Sequence, residues 1–346
     1  MNGRVDRLRE RLEEPLLVSD PANVRYLSGL DSSNVALLIE PERARLFTDF
    51  RYAETARAIE GFEFVDAKRD LFQTLSETLN GTIGVEAASL TYERYSRLHA
   101  GGLELVPRYG LVEELRAVKD EDELDTIRRA AAIANIAFER FADEGDVVGR
   151  TERELAWRFE AFLHDASADS LSFPVSMASG PNAAKPHTHP GDRQVERDEV
   201  LLIDAGCVVD GYCSDCTRTF ATGELPDELR RAYDVCLDAQ LAALAAVTPG
   251  ASGVGVDAAA RDRIESAGFG EAFGHGLGHG VGLVVHEDPR LARESRSTLE
   301  AGNVVTVEPG IYLSGLGGIR IEDLVVVTDE GPEVLTSFPK ELRALD

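Results

Sequence analysis

The sequence predicts a two-domain α+β protein, in which a smaller α/β domain precedes a larger domain of strands, helices and glycine-rich loops. The chain has 346 residues, which exceeds the usual size of a single core, so two domains are expected. Short apolar strands alternate with helices up to about residue 113, and after Ser170 the pattern changes to strands and glycine-rich segments. We place the boundary near Val118, which gives domains of residues 1–117 and 118–346.

The predicted elements of the first domain follow from apolar runs separated by turn and capping residues. Asp20-Pro21 marks a helix start, because Asp accepts the first helical N–H groups and Pro suits the first helical position. No cluster of metal-ligating side chains occurs in this domain, and its one histidine, His99, is expected on the surface. We predict strands at residues 15–18, 34–39, 45–48, 62–66 and 82–86, and helices at residues 21–26, 51–59 and 71–79.

The second domain begins with a charged, strongly helical segment at residues 111–142. The next helix, at residues 151–166, starts with Thr151 and Glu154 in the spacing of a capping box, and His164 is expected on its surface. We predict further helices at residues 226–246 and 253–267, and strands at residues 174–178, 199–207, 212–222, 304–313, 319–327 and 333–335.

The composition excludes several classes of partner. A net charge of −26 argues against binding to nucleic acid or to anionic membrane surfaces. The chain contains no run of about 18 apolar residues, so no transmembrane helix is expected. Residues 1–18 form an amphipathic pattern without the apolar segment of a signal peptide, which predicts a cytoplasmic protein.

Arginine supplies nearly all of the positive charge, because the only lysines are Lys68, Lys119, Lys185 and Lys340. An acidic, lysine-poor surface suits a cytoplasm of high salt, where ions screen the repulsion between carboxylates. We therefore predict a halophilic source. The four cysteines are expected to form no disulfides. The Cys213-x-x-Cys216 motif is not expected to bind zinc, because it lacks a second half and lies on a predicted strand.

Residues 201–220 predict a hairpin that carries two acids on one face. Asp210-Gly211 is a strong two-residue turn, and it pairs Asp204 with Thr217. Asp215 then becomes the diagonal neighbour of Asp204, with about 7–8 Å between the Cβ atoms. Acids this close repel strongly unless a cation lies between them. Taken alone, this pair fits a metal site and a solvated hairpin with two unrelated acids equally well.

A second hairpin, at residues 304–327, repeats this arrangement. Glu308 and Glu322 flank a glycine-rich loop, and a pairing centred on Gly315 places the two carboxylates opposite each other. The alternative is a pair of outward-facing acids on edge strands. Chance gives one such acid pair far more readily than two, so the two hairpins together favour a metal site.

Five of the seven histidines fall in two segments that are rich in glycine or proline. The first segment carries His275, His279 and His286, and its alternate glycines disfavour a helix and predict a loop or the start of a strand. The second segment is a short loop with His187 and His189. Single histidines in loops usually face solvent, but this clustering favours a functional site.

Four carboxylates and a histidine form an oxygen-rich ligand set, which favours Mn²⁺, Co²⁺ or Fe²⁺ and admits Zn²⁺. Bridging carboxylates suit two ions about 3.5–4 Å apart, an arrangement that activates water for hydrolysis. The sequence contains no GxSxG, no GxxxxGK[ST] and no GxGxxG between a strand and a helix, so serine hydrolases and nucleotide-binding proteins are not supported. The expected reaction is metal-assisted hydrolysis.

The motifs IDAG, GYCSDCTRTF, GHGLGHGVGLVVHEDP, VEPGIY and GIRIED occur in the order and spacing of the pita-bread metallopeptidases. The chain resembles Xaa-Pro aminopeptidase, prolidase, methionine aminopeptidase and creatinase over nearly its whole length. Its segments PANVRYLSGL and FTDFRYAE look like the small domain of prolidase, aminopeptidase P and creatinase, which free-standing methionine aminopeptidases lack. The resemblance implies an α+β fold, with a C-terminal pita-bread domain preceded by a smaller creatinase-type α/β domain.

The resemblance also implies a dinuclear metal centre. Asp215 and Glu322 would bridge two divalent ions, Asp204 would bind one of them, and His279 and Glu308 would bind the other. Glu308 would also act as general acid and base toward the attacking water. Mn²⁺ and Co²⁺ are the expected ions, with Fe²⁺ and Zn²⁺ as alternatives.

Four further residues receive roles from the resemblance. His187 and His286 would stabilise the tetrahedral intermediate and hold the substrate carbonyl or amide. His275 would line the proline side of the cleft. Arg320 would orient the metal-binding carboxylates, which is compatible with a structural ion pair.

The implied substrate is a peptide with proline at the second position, and the implied assembly is a homodimer. A prolidase must bind the C-terminal carboxylate of a dipeptide, whereas an aminopeptidase P needs an open cleft for longer chains. The deciding residues would lie in loops, with His189 and Arg193 as candidates. We expect a dipeptidase, with an Xaa-Pro aminopeptidase as the alternative. Creatinase, which lacks this metal set, and a non-catalytic binding module are disfavoured.

Overall fold

The computed structural model describes residues 3–345, which form two compact units that divide between Arg116 and Ala117. Each unit has its own β-structure and its own buried apolar clusters. The helices of the first unit are α1 Gly3–Arg9, α2 Pro21–Ser28, α3 Ala53–Arg57, α4 Leu71–Thr78 and α5 Tyr92–Ala100, with α6 Glu113–Ala117 at the division. Its strands are β1 Leu16–Val18, β2 Val35–Ile39, β3 Ala44–Thr48, β4 Glu63–Asp66, β5 Thr82–Glu86 and β6 Glu104–Arg108.

The first unit is built on one six-stranded sheet in the order β4-β3-β2-β1-β5-β6. Strand β2 runs antiparallel to both of its neighbours, whereas the pairs β3–β4, β1–β5 and β5–β6 are parallel. Buried residues of the central strands, such as Leu38 and Phe47, pack with Leu75 of α4 and Leu98 of α5. The sheet and these helices therefore enclose an apolar core on one face of the sheet, while Leu37 and Leu46, which alternate with Leu38 and Phe47, are buried on the other face.

Capping residues set both ends of helix α2. The Asp20 side chain accepts the backbone N–H groups of Ala22 and Asn23 at 3.0 and 3.2 Å, and Pro21 occupies the first turn. Gly29 ends the helix with φ 74°, a left-handed conformation that glycine adopts without steric cost. The predicted helix start is confirmed.

Two helices of the first unit differ from the prediction. Helix α3 is shorter than predicted, because Arg51 turns back onto Asp49 through its backbone N–H and its guanidinium before the helix begins. Helix α5 was not predicted at all. Leu98 is its one buried residue, so the sequence carries no apolar period to mark it.

The second unit contains four helices within the described chain, α7 Glu121–Glu144, α8 Glu152–Asp165, α9 Asp227–Ala246 and α10 Gly253–Ser266, with short 3-10 helices at Gly180–Ala184 and Gly270–Ala272. Its strands up to α9 are β7 Ser170–Leu171, β8 Ser176–Ser179, β9 Val200–Ala205, β10 Cys207–Val209, β11 Tyr212–Cys213 and β12 Cys216–Ala221. After α10 come β13 Gly278–Gly280, β14 Glu287–Leu291, β15 Val304–Val307, β16 Gly310–Leu313, β17 Gly317–Arg320, β18 Asp323–Thr328 and β19 Gly331–Val334.

These strands form small sheets rather than one continuous sheet. Their orders are β12-β9-β8, β11-β10-β7, β14-β13-β15-β18-β19 and β16-β17. Helices α9 and α10 pack against them around one large core, which includes Ala239, Val256, Val305 and Ile319. Strands of both predicted hairpins, β9–β12 and β15–β18, contribute side chains to this core.

The predicted helix at residues 111–142 is in fact two helices, α6 and α7. Backbone bonds interrupt it: the Lys119 N–H donates to Gly302 O at 2.9 Å, and Val118 pairs with Asn303. Helix α7 then starts afresh at Asp120, which forms a capping box with Glu123. The break depends on strand partners far along the chain, so the helical pattern alone could not reveal it.

Two local predictions for α8 are confirmed. Thr151 and Glu154 form the predicted capping box of α8, and His164, like His99 of the first unit, is exposed. All four cysteines are free and buried, and none joins a group of metal-ligating side chains among residues 3–345. No helix in the same range has the length and apolar character needed to span a membrane.

A candidate metal centre and its cavity

The first acid-bearing hairpin has the predicted register. Val209 pairs with Tyr212 across the two-residue turn, and Asp204 pairs with Thr217. Between these two ladders the pairing is interrupted, and in the same register Asp215 stands opposite Gly206. A Cβ at position 206 would lie 1.9 Å from the Ser214 carbonyl oxygen, so only glycine allows this close approach. We call the interruption the ladder break of the first hairpin.

The second hairpin has a ladder break at the corresponding place. Val307 pairs with Asp323 on one side of it and Gly310 with Arg320 on the other, which leaves Glu308 and Glu322 facing each other between the two ladders. The predicted opposition of these acids is therefore confirmed. Their backbone N–H groups bind segments outside this hairpin: Glu308 donates to Leu277 O at 2.8 Å and Glu322 donates to Thr217 O at 3.1 Å.

His279 of β13 completes a compact group of potential ligands. One ligand atom each from Asp215, His279 and Glu322 lies within 4.8 Å of the others, and all three residues are buried. His279 Nε2 is 3.8 Å from Asp215 Oδ2 and 3.2 Å from Glu308 Oε1. His279 Nδ1 lies 3.1 Å from Gly280 O, and because a carbonyl only accepts, the proton sits on Nδ1. The other ring nitrogen, Nε2, faces the acids.

Arg320 binds Asp204 directly and is connected to Glu322 through Thr217. It donates through Nη2 to Asp204 Oδ2 at 2.5 Å and through Nε to Thr217 Oγ1 at 3.0 Å. Thr217 in turn donates to Glu322 Oε2 at 2.6 Å. The other oxygen of Asp204, Oδ1, is buried and has no hydrogen-bond partner among the described residues. An unpartnered buried carboxylate oxygen beside three further ligands is what a cation site requires.

The acids cannot all be ionised together in this environment without a compensating charge. Burial and the neighbouring carboxylates raise the pKa of Asp215 and Glu322 well above their ordinary values, and burial raises the pKa of Asp204 against the opposing charge of Arg320. Burial also acts to raise the pKa of Glu308, but the hydrogen bond and charge of His279 outweigh it and hold that pKa at about 2. The donor set therefore fits a site for divalent cations.

A cavity of about 520 Å³ opens onto this group. The structure brings all the predicted metal-binding, catalytic and proline-side residues to its wall, namely Asp204, Asp215, His279, Glu308 and Glu322 together with His187, His275, His286 and Arg320. The His286 ring packs edge-on against the His279 ring, with 4.3 Å between the centroids. His187 is exposed on its loop and has no hydrogen-bond partner within residues 3–345. A larger groove of about 690 Å³ beside Trp157 contains none of these residues.

Tyr312 is a cavity residue that the sequence did not predict. Its hydroxyl lies 2.9 Å from His275 Nε2 and accepts a hydrogen bond from Arg320 Nη1 at 3.0 Å. Burial raises the pKa of Tyr312 to about 12 and lowers the pKa of His275, so this end of the cavity is neutral apart from Arg320. The only available signal was that Tyr312 follows Glu308 at an even spacing on the same strand run.

One predicted arginine lies outside the cavity, and an arginine that was not predicted lines it. Arg193, a predicted candidate for setting substrate length, does not line the cavity, because its guanidinium is bound by Glu199 at 2.7 Å and by Ser179 at 2.7 Å. Arg290, which was not predicted, lines the cavity together with His189. Arg290 is exposed, and its guanidinium has no hydrogen-bond partner in the described part of the chain. A charged group on the cavity wall is thus free to bind an anion.

Comparison with known proteins agrees with this geometry. The family model for metallopeptidase family M24 matches residues 125–329, and the model for the creatinase/prolidase N-terminal domain matches residues 4–118. The chain belongs to metallopeptidase family M24. The predicted fold class is confirmed as well, since an M24 pita-bread domain of mixed helices and sheets follows a creatinase-type N-terminal domain.

This M24 chain is similar to proteins over almost its full length. An uncharacterized peptidase of Bacillus subtilis, YqhT, is 39% identical over 337 residues, covering 95% of each chain. The structure superposes on an Xaa-Pro dipeptidase from Bacillus anthracis with a TM-score of 0.96 and 38% identity, covering 99% of both chains. An X-Pro aminopeptidase from Thermotoga maritima gives a TM-score of 0.88 and 35% identity, with 97% of this chain and 99% of that chain covered.

Proposed function

We propose that this M24 protein is a metal-dependent peptidase that cleaves the bond between a first residue and a proline at the second position. The observation that carries this proposal is the convergence of the predicted metal-binding and catalytic residues on one cavity, with an unpartnered Asp204 oxygen among them. The similarity to an Xaa-Pro dipeptidase and an X-Pro aminopeptidase supports the choice of substrate class.

Five side chains would hold two divalent ions, with Mn²⁺ or Co²⁺ expected and Fe²⁺ or Zn²⁺ as alternatives. Asp215 and Glu322 would be shared between the ions, Asp204 would bind one, and His279 and Glu308 would bind the other. Divalent ions at such a site lower the pKa of water and polarise a carbonyl oxygen. Arg320 and Thr217 would keep Asp204 and Glu322 in place, because each carboxylate already accepts a bond from this pair.

The remaining side chains would act on the peptide itself. Glu308 would accept a proton from the attacking water and deliver it to the proline nitrogen as the bond breaks, so that an amino acid and a proline residue with a free amine result. His286 and His187 would donate hydrogen bonds to the oxygen on which negative charge develops. His275, fixed by Tyr312 at 2.9 Å, would form the wall that receives the proline ring.

Within this class, we infer a dipeptidase. The free guanidinium of Arg290 on the cavity wall would bind the C-terminal carboxylate of an Xaa-Pro dipeptide through charge-assisted hydrogen bonds, which are stronger than neutral ones. A longer peptide presents an uncharged amide at that position and would gain nothing from Arg290. An Xaa-Pro aminopeptidase remains the second candidate, since one of the similar structures is named as such.

Parallel turnover of an Xaa-Pro dipeptide and an Xaa-Pro tripeptide, each with Mn²⁺ or Co²⁺, tests the proposal. We expect the dipeptide to be cleaved with the higher kcat/KM. Arg290→Ala should raise KM for the dipeptide and leave the tripeptide unchanged, whereas Arg293→Ala, which removes an exposed arginine paired with Glu265, should change neither. Exclusive cleavage of the tripeptide would contradict the dipeptidase proposal. Absence of both bound metal and turnover would instead favour a non-catalytic binding module.

Three further expectations accompany the proposed function. We infer that residues 1–117 form the creatinase-type domain and residues 118–346 the catalytic domain. We also expect a cytoplasmic homodimer. Light scattering on the purified protein should then give a mass twice the 37.6 kDa of one chain.

A further inference from the structure

The loop that carries His187 is attached to the first turn of α8 by one buried carboxylate. Glu152 is the first residue of that helix, and it is 0% exposed. Its Oε1 accepts the backbone N–H and the hydroxyl of Ser179, both at 2.9 Å, and the side-chain amide of Asn182 at 3.0 Å. Its Oε2 accepts the backbone N–H of Gly191 at 3.1 Å. A single side chain thus binds the chain before and after His187.

We propose that Glu152 is a positioning residue, which holds the loop of residues 180–191 so that His187 faces the cavity. Ser179 is the last residue of β8, and Gly191 follows the proline-rich apex, so the carboxylate binds the two ends of one loop. This inference rests on the proposed function, because it assigns His187 a role in the reaction.

The backbone of α8 strengthens the same attachment. The first N–H groups of a helix have no partner within the helix. Here the N–H of Glu152 donates to Arg193 O at 3.0 Å, and the N–H of Arg153 donates to Gly191 O at 3.1 Å. The helix start therefore binds the far end of the loop through both main chain and side chain, which fixes where that end lies.

A second chain of polar contacts reaches the near end of the loop. Ser179 Oγ, which donates to Glu152, accepts a bond from Arg193 Nη1 at 2.7 Å, and Arg193 is paired with Glu199. At the apex, the Ser176 hydroxyl donates to Thr188 O at 3.2 Å. These contacts all hold other residues of the loop, whereas His187 itself has no hydrogen-bond partner among the described residues.

This arrangement gives Glu152 a role that a neutral side chain cannot fill. A buried carboxylate is costly unless all of its lone pairs are used, and here each oxygen accepts donors from the loop. In Glu152→Gln, one oxygen becomes an NH₂ group that points at a backbone N–H. One end of the loop would therefore lose its acceptor, and the orientation of His187 would loosen.

The experiment compares the full-length Glu152→Gln variant with Glu154→Gln. Glu154 lies on the same helix turn but accepts bonds only from Thr151, so it serves as the matched control. Hydrogen exchange followed by mass spectrometry should show faster exchange of residues 180–191 in Glu152→Gln alone. The Mn²⁺ affinity should stay unchanged, because Glu152 does not touch the metal-binding group.

Turnover of an Xaa-Pro dipeptide then separates positioning from general destabilisation. Glu152→Gln should lower kcat/KM roughly 10- to 100-fold, as expected when a supporting side chain is lost. The same substitution in a His187→Ala background should lower it little further, since the group being positioned is already gone. Equal losses in both backgrounds, or unchanged exchange of the loop, would overturn the proposal.

Failure of the proposed function would look different. If the wild type cleaves no Xaa-Pro peptide, the role of His187 in that reaction is wrong. Hydrogen exchange still tests whether Glu152 holds the loop. Faster exchange of residues 180–191 in Glu152→Gln supports this role, and unchanged exchange overturns it.

Discussion

The unpartnered Oδ1 atom of Asp204 is the residue-level feature that distinguishes a metal site from a structural ion network. Its sister oxygen Oδ2 is fully engaged by Arg320 at 2.5 Å. Leaving a buried acceptor unsatisfied costs about 1–3 kcal/mol, and more when it is charged. A protein that needed only an ion pair could bury Asp204 with both oxygens paired. Asp204 and His279 instead line the same cavity as the other predicted ligands.

Asp215→Asn tests the ligand assignment directly. We expect this change to abolish both metal occupancy and peptidase activity, because it replaces a shared, charged ligand with a neutral amide. Elemental analysis of the purified variant and turnover with added Mn²⁺ measure the two effects. Asp210→Asn is the matched control: it lies in the turn of the same hairpin, outside the cavity, and its φ of 47° suits asparagine. Full activity in Asp215→Asn would mean that the ligand assignment is wrong.

The ligand candidates could be found from the sequence because they rest on short-range rules. Alternation along a strand and the Asp210-Gly211 turn suffice to place Asp204 and Asp215 on one face. The contacts of Tyr312, Arg290 and Glu152 depend instead on how distant segments come together. No spacing in the sequence connects Glu152 with Gly191, so their bond could not be predicted.

The ladder breaks are the places in the two hairpins where Asp215, Glu308 and Glu322 lie. In a continuous hairpin, the backbone groups next to Glu322 would bind the facing strand. At the break they bind Thr217 of the other hairpin instead, and Arg218 donates to the Glu322 carbonyl as well. Arg218 is fully buried and also pairs with Asp323 at 2.9 Å. At Glu322, the second break thus replaces pairing within one hairpin by contact between the two.

Gly206→Ala tests the importance of the first ladder break. The added Cβ would meet the Ser214 carbonyl at 1.9 Å, so the strand that carries Asp215 must shift. We expect a loss of about 1–3 kcal/mol in the free energy of unfolding together with weaker Mn²⁺ binding. Gly274→Ala is the control, because a Cβ there meets no atom within 4 Å. Mn²⁺ affinity equal to that of the control would show that the break does not position Asp215.

Glu86, at the end of β5, makes the first unit sensitive to pH. It accepts the N–H groups of Ser19 and Asp20 at 2.6 and 2.8 Å and the amide of Asn23 at 2.7 Å, yet burial raises its pKa from 4.5 to about 7. Because the folded pKa exceeds the unfolded one, the folded state binds more protons in this range. Stability is therefore lost as pH rises from 4.5 through about 7.

Glu86→Gln should remove this pH dependence. We expect the wild type to lose on the order of 3 kcal/mol of unfolding free energy relative to the variant between about pH 5 and about pH 8. Urea unfolding followed by far-ultraviolet circular dichroism measures the difference. Glu63→Gln, which changes an acid 59% exposed on β4, is the control and should behave as the wild type does. Parallel pH profiles for the wild type and Glu86→Gln would contradict the prediction.

Element boundaries show where sequence patterns stop being informative. The registers of both hairpins were predicted correctly, since turn type and alternation are local properties. The breaks within them, the interruption between α6 and α7, and the exposed helix α5 were missed. Each of these depends either on backbone partners from distant strands or on a surface without an apolar period.

The molecule as a whole carries a net charge of −26, with its ion pairs lying mainly at exposed positions. Exposed pairs contribute little, whereas the summed repulsion of surplus carboxylates opposes folding. We therefore expect the thermal unfolding midpoint to rise when KCl increases from about 0.1 M to about 2 M, because salt screens this repulsion. The rise should shrink near about pH 4.5, where carboxylates take up protons. A midpoint that is constant or falls with KCl would contradict the halophile prediction.

The division of the four acids between two hairpins has a consequence for the order of events during synthesis. Asp204 and Asp215 become diagonal neighbours on one face as soon as β9 and β12 pair, but Glu308 and Glu322 lie in a hairpin made only after α9 and α10. A cation held by all four acids would bind tightly only when the last hairpin has joined the first. An unfinished or C-terminally truncated chain would therefore gain none of the stabilisation that the bound cation gives to the folded protein. Tight cation binding would thus distinguish complete chains from incomplete ones.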